Sequence, residues 1–246
     1  VDISGDWVLV GAPGEATWRG TVYPARLVPG SILPYGPIRA VDGTAWDSFG
    51  EAVGIDGHDF AVGAPDDDDL GVNSGSVYRF EYQGPVWREI EKLNASDGTG
   101  SDWFGQAVAI DGDLIAVGAP GRDDTGADSG SAYVFRDAGA SWTEERKRFA
   151  STGAAVDRFG RAIAISSGVF VAGAPTDDDF GADSGTAWIF RDAEWQNYGT
   201  GWPGAGGVIP TLTLGADPIQ GTNVPILVSN SAGINTNAAF VLGLSS

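Results

Sequence analysis

The hydrophobic positions of this chain come in short runs, and one stretch shows how they are organised. After the pair Phe104-Gly105, the segment Gln106 to Ile110 is mainly apolar, and Asp111-Gly112-Asp113 interrupts it. Asp-Gly is hairpin chemistry, because glycine takes the positive φ that a tight turn needs. Leu114 to Val117 follows, apolar on consecutive residues, as in a strand buried on both faces. Gly118-Ala119-Pro120 ends it, since proline donates nothing to a ladder. Beyond a polar loop, Ser131 to Phe135 reads as a third strand and Trp142 to Phe149 as a fourth. The fourth carries Glu144, Glu145, Arg146, Lys147 and Arg148, which suits an exposed outer edge. No helix of ordinary length is predicted.

The unit repeats. Phe-Gly pairs begin at 49, 104 and 159, each 55 apart (104 − 49 and 159 − 104). Gly-Ala-Pro triplets begin at 11, 63, 118 and 173, and Trp87 and Trp142 keep the same period (142 − 87 = 55). A fixed period of this length is the signature of a repeat architecture. Four short strands with charge concentrated on the last predict a β-propeller blade. The fold class is therefore all-β, a propeller of about four blades, with Phe104 and its equivalents filling the space between neighbours. The units fall at about 1–46, 47–101, 102–156 and 157–198. The first is split: aligning Gly11-Ala12-Pro13 with Gly118-Ala119-Pro120 places Val1 opposite Val108, so its Phe-Gly is missing and its innermost strand is truncated. Unit 1 continues with a strand within Thr17 to Leu27 and an outer strand near Pro37 to Val41. Unit 4 has strands one to three, through Trp188-Ile189-Phe190.

These residues carry a family resemblance. Phe-Gly, the strand–turn–strand and the closing Gly-Ala-Pro resemble FG-GAP repeats, the blades of integrin α-chain propellers, and the bacterial branch of that family most closely. The resemblance covers about Val1 to Arg191. It implies an extracellular β-propeller used for binding or structure. Residues 199–246 differ: Asp217 is the sole ionisable side chain there, and Val208 to Leu214, Val224 to Val228 and Ala238 to Leu244 read as further strands. This segment is similar to tails that follow repeat arrays in secreted bacterial proteins.

Charge narrows the partners. Net charge is −19 over 246 residues. Phosphate backbones and anionic membranes need clustered Lys and Arg, so neither nucleic acid nor a membrane surface is expected. No apolar run approaches the roughly 20 residues of a membrane span. Cysteine is absent, which removes disulfides and thiolate metal sites, and the 38 glycines fit a chain of many tight turns. Met is absent too, including at position 1, so a processed N-terminus and a secreted or cell-surface location are expected.

The candidate chemistry lies in the acidic loops after Gly-Ala-Pro. Asp66, Asp67, Asp68 and Asp69 fall in the first; Asp123, Asp124 and Asp128 in the second; Asp177, Asp178, Asp179 and Asp183 in the third. Clustered carboxylates with a glycine turn suit Ca²⁺, which prefers oxygen ligands. The competing reading is solvated loops in which Asp and Asn favour turns. Integrin-type repeats place their calcium loop between the first two strands, where this chain has short turns such as Asp111-Gly112-Asp113, so those sites do not carry over. An enzyme is not expected. The acids recur in every unit, His58 is unmatched in the others, and Ser74, Ser129 and Ser184 lack a His or Lys at motif spacing. Trp18, Trp46 and Trp202 are the tryptophans most open to ligand or glycan contact.

Two functions follow. The first is a structural or assembly protein. An incomplete edge at Val1, Asp2 and Ile3 is completed by a strand such as Ala238, Ala239, Phe240, Val241 and Leu242, from the same chain or a neighbouring copy, giving a homo-oligomer or a filament. The second is a surface adhesion or ligand-binding module, with Ca²⁺, other surface proteins or glycans as partners.

Overall fold

The computed structural model describes residues 1–179 and 181–191. Four antiparallel sheets follow one another along the chain as the blades of a four-bladed β-propeller arrangement. Blade 1 holds β1 (Asp2–Ser4), β2 (Trp7–Ala12), β3 (Thr21–Val28) and β4 (Ser31–Pro34), with one irregular helical turn, α1 (Glu15–Trp18), before β3. Blade 2 holds β5 (Ala52–Asp56), β6 (Asp59–Ala64), β7 (Ser76–Gln83) and β8 (Val86–Leu93). Blade 3 holds β9 (Ala107–Asp111), β10 (Leu114–Ala119), β11 (Ser131–Asp137) and β12 (Trp142–Arg148). Blade 4 has β13 (Ala162–Ser166), β14 (Val169–Ala174) and β15 (Thr186–Arg191). In each sheet the strands lie in chain order.

Blade 1 has the truncated innermost strand expected of it and departs from expectation in its outer strand. Its innermost strand is present: Asp2, Ile3 and Ser4 pair with Leu9, Val8 and Trp7, so three residues suffice where β9 uses five. Its outer strand comes earlier than Pro37 to Val41, at Ser31–Pro34. The prolines at 34 and 37 explain the break, since neither can donate to the ladder. Ile38 then rejoins β3 through a reciprocal pair with Val22, both bonds 2.8 Å.

The second strands of the blades bury alternate side chains against different neighbours. Phe60, Val62 and Ala64 of β6 face blade 1 in one core cluster with Leu9 and Val22. Ala61 faces the other way, into a cluster with Ile115, Val117 and Phe104. Leu114 and Ala116 meet Phe170, Ala172 and Ala174 of blade 4 in a third. The core is thus a series of slabs between blades, which is why the second strand of each unit reads as a continuous apolar run.

The Phe-Gly pairs lock these slabs. Phe49, Phe104 and Phe159 are buried and form isolated parallel bridges to Gly20, Gly75 and Gly130 of the preceding blade. The Phe104 amide donates to the Ser74 carbonyl at 3.0 Å, and the Gly105 amide to the Gly118 carbonyl at 3.0 Å. Gly105 has φ +91, a conformation that disfavours any side chain. The receiving surface is glycine as well. A β-carbon on Gly63 or Gly118 would collide with the carbonyl oxygen of Gly105 or Gly160, and one on Gly75 with that of Phe104. Each Phe-Gly is therefore a plug whose backbone seats in a socket of two glycines.

Replacing Gly63 or Gly118 by Ala is expected to destabilise the protein by about 3 kcal/mol, the upper range for overpacking. Gly14→Ala is the control, because a β-carbon there meets nothing within 4 Å. Urea unfolding checks this; equal midpoints for Gly63→Ala and Gly14→Ala would refute the socket.

Candidate functional site

The three acidic loops leave β6, β10 and β14 at the rim where the plugs seat. One carboxylate of the first loop and one of the third turn inward. Asp67 is buried and accepts from the Asp69 amide at 3.1 Å, the Ser76 hydroxyl at 3.1 Å and the Tyr78 hydroxyl at 3.0 Å. Asp177 repeats this pattern, accepting from the Asp179 amide at 3.0 Å and Thr186 Oγ1 at 2.8 Å. Asp66 accepts from Ser48 Oγ at 2.6 Å, Asp68 from the Asn73 amide at 2.8 Å, and Asp123 from the Asp128 amide at 2.8 Å. Asp128 and Asp183 occupy left-handed positions, with φ 54 and 49. Asp178 contributes its carbonyl to the Gly181 amide at 3.0 Å. These are turn roles.

A cation does stand among the carboxylates in blades 2 and 3, and it is a side chain. Lys92, on β8, places its ammonium 3.0 Å from Asp42, 3.0 Å from Asp67 and 2.5 Å from Asp69. Lys147, on β12, reaches Asp97 at 2.7 Å and Asp124 at 2.5 Å. In blade 3 the position of Asp67 is taken by Arg122, which bridges Asp97, Asp102 and Asp124. Burial opposes the Lys92 charge, but hydrogen bonds to Asp69, Asp42 and Asp67 outweigh it and hold the ammonium above the ordinary lysine range. Asp42, Asp97 and Asp124 answer in kind: burial opposes their charge, and hydrogen bonds from Lys92 or Lys147 still hold them below the ordinary carboxylate range. Among the described residues no three acidic or His side chains group as a metal would require. The aspartates expected to hold Ca²⁺ accept turn amides and hydroxyls and, for Asp67, Asp69 and Asp124, a lysine ammonium. Lys92 and Lys147 are 55 apart (147 − 92), so the repeat period itself would have found them.

A second carboxylate row stands two residues before each Phe-Gly pair. Asp47, Asp102 and Asp157 are buried just before the plugs. Asp47 takes the Thr44 amide and hydroxyl at 2.5 and 2.8 Å, Asp102 takes the same pair of Thr99 at 2.7 and 3.0 Å, and Asp157 the Ala154 amide at 2.6 Å. Burial raises the carboxyl pKa of Asp47 and of Asp157. These aspartates close the turn that presents each plug.

The residues expected at the assembly edge lie as follows. Asp2 accepts from the Ile55 amide at 2.9 Å, tying β1 to blade 2. Ile3 is 59% exposed and Val1 83%. Ala238, Ala239, Phe240, Val241 and Leu242 lie outside the described residues, as does Trp202. Trp18 and Trp46 are exposed, and the Trp46 amide donates to the Thr17 carbonyl at 3.2 Å. His58 stacks on Tyr82 at 5.4 Å, an aromatic packing role at an exposed turn. The Asn94 amide donates to Ser76 Oγ at 2.8 Å.

Lys92→Met would strand the buried Asp67 carboxylate and should cost about 3 kcal/mol, as when one partner of a buried pair is removed. The folded pKa values of Asp42, Asp97 and Asp124 are depressed below an unfolded value near about 3.9. Their stabilisation is present above that pH and is lost as pH falls through the folded values. Asp47 and Asp157, raised by burial, carry the opposite sign. Urea melts from pH 6 to pH 3 should show wild type losing more stability than Lys92→Met; parallel curves would refute the lysine's role.

A family model described as "FG-GAP repeat" matches the chain three times, at residues 37–80, 87–135 and 142–190. No curated protein matches it. The second and third matches run from the outer strand of one blade, through a plug, to the third strand of the next, so the family's unit in sequence is the interlock between two blades in space. The chain belongs to the FG-GAP repeat family.

Proposed function

We propose that this chain is a non-enzymatic extracellular structural protein whose blades associate head to tail between copies. The observation behind it is that, among the described residues, both ends of the blade row present apolar sheet faces of the kind buried elsewhere. On blade 1, Ile3, Val8, Val10, Leu27 and Ile32 share one face by register. Val10 is 42% exposed and Ile32 63%, whereas Val62 and Val117, which hold the place of Val10 in blades 2 and 3, are fully buried. On blade 4, Ala164, Val171 and Ile189 share the opposite type of face. Ala116 and Val134, their counterparts of Val171 and Ile189 in blade 3, are fully buried. A second copy placing its blade 1 on this blade 4 would repeat the internal interface. Such a heterologous contact gives a ring where the rotation closes and a filament where it does not. The contact is made by sheet faces, since β1 already completes the innermost strand over Asp2–Ser4.

The net charge of −19 opposes association, so salt should promote it. No helix of the described residues is long and apolar enough to cross a membrane. Adhesion is the second reading, and it rests on Trp18 and Trp46, 46% and 63% exposed on adjoining loops. Stacking on such rings suits a glycan or a surface protein. A Ca²⁺ requirement for it would appear as a lower melting temperature in chelator.

Sedimentation velocity at 50 and 500 mM NaCl tests the assembly. Oligomers should grow with concentration and salt and vanish in Val10→Asp. A lone monomer under every condition would sink the reading, and a glycan array would then decide for adhesion.

A further inference from the structure

The plug-and-socket count is uneven. Sockets are made by the glycine of Gly-Ala-Pro and by a glycine just before the third strand: Gly11 with Gly20, Gly63 with Gly75, Gly118 with Gly130, and Gly173 with Gly185. The second glycine keeps the 55-residue period throughout (75 − 20, 130 − 75, 185 − 130). Plugs 49–50, 104–105 and 159–160 seat in the first three. In blade 4 the same surface is built. Gly185 has φ +68, and a β-carbon on Gly173 would meet, among the described residues, nothing closer than the Ala162 β-carbon at 3.6 Å. Ala187 stands where Ala132 packs beside the buried ring of Phe159.

We propose that Gly173, Gly185 and Ala187 form a fourth socket and that Tyr198-Gly199 of the same chain is its plug. The socket reads backbone: it admits an aromatic residue followed by glycine, because the plug glycine takes positive φ and the socket glycines leave room for its carbonyl. Tyr198-Gly199 is the aromatic–glycine pair that follows blade 4 in the sequence. It is also within reach. The strand β15 runs outward from Gly185 over Thr186–Arg191, about 17 Å at ~3.3 Å per residue, and the seven residues from Arg191 to Tyr198 (198 − 191) span about 23 Å on the way back. The link is shorter than in the other units, where the aromatic follows the socket glycine by 29 residues (104 − 75), so it carries the return but no full outer hairpin. Docked there, Tyr198-Gly199 would stand where the plug of a following blade stands. It would supply the element that blade 1 of a neighbouring copy does not bring, yet the docking is intramolecular and holds for the monomer as well.

Gly173→Ala in the full chain is the test, with Tyr198→Ala and the double variant. The structure has room for the Gly173 methyl unless a plug sits against it. Thermal unfolding at a concentration where sedimentation shows monomer should give a loss of roughly 5 °C or more for Gly173→Ala. The double variant should melt no lower than Tyr198→Ala alone, because both changes break one contact. An unchanged melting temperature for Gly173→Ala would overturn the proposal, as would additive losses, which would point to another plug. A loss confined to oligomers would overturn it in favour of a second copy as the occupant. Absence of oligomers would defeat the head-to-tail reading and leave this one standing.

Discussion

The architecture depends on a contact between backbones. A Phe-Gly plug enters the preceding blade so closely that neither side tolerates a β-carbon at the points of approach. The ring of Phe49, Phe104 or Phe159 closes the slab between two sheets, and the glycine after it starts the hydrogen bonding of the next sheet. Covalent continuity and packing coincide there, because the segment that ends one blade's interface also begins the next blade. This explains why the Phe-Gly and Gly-Ala-Pro motifs keep a common period while the loops between them vary. A shift of either partner by one residue would put a side chain into a carbonyl oxygen.

The second constraint is charge. An acidic chain that gathers carboxylates on one rim must neutralise them or keep them wet. Blades 2 and 3 do the former with a lysine from the outer strand, held by two or three carboxylates. Blade 3 adds Arg122 at a position that is aspartate in blades 2 and 4. The rim is therefore a set of internal ion pairs tied to Tyr78 and Tyr133, whose hydroxyls donate to Asp42, Asp67 and Asp97. It anchors the long loops to the sheets.

The two ends of the row carry sheet faces with no neighbouring blade among the described residues. Each internal blade buries one face against its predecessor and the other against its successor. The terminal blades have one such face each, of the matching types; on blade 1 Val10 and Ile32 are exposed, and on blade 4 Val171 and Ile189 are half-buried where Ala116 and Val134 are fully buried.

The period, the four-strand unit, the blade fold and the irregular first copy were legible in the chain, because each rests on local rules: turn glycines, strand-ending proline, and apolar runs of a length set by the sheet. The socket glycines and the lysines also keep the period, but their meaning could not be read locally. A glycine is conserved in register equally well for a turn or for a neighbour's carbonyl, and only the packed sheets show that Gly63 and Gly118 face a backbone. The acidic loops illustrate the same limit. Asp67, Asp68 and Asp69 are adjacent in sequence, yet one turns inward, one caps a turn and one meets Lys92, a residue 23 positions after Asp69 (92 − 69). The innermost strand of blade 1 was a matter of degree, since sequence placed its start but only pairing energy decided that three residues would be enough. Sequence alone determined what repeats; the tertiary structure decided which surfaces the repeats consume on one another and which they leave at the ends, because that depends on contacts between residues a full period apart.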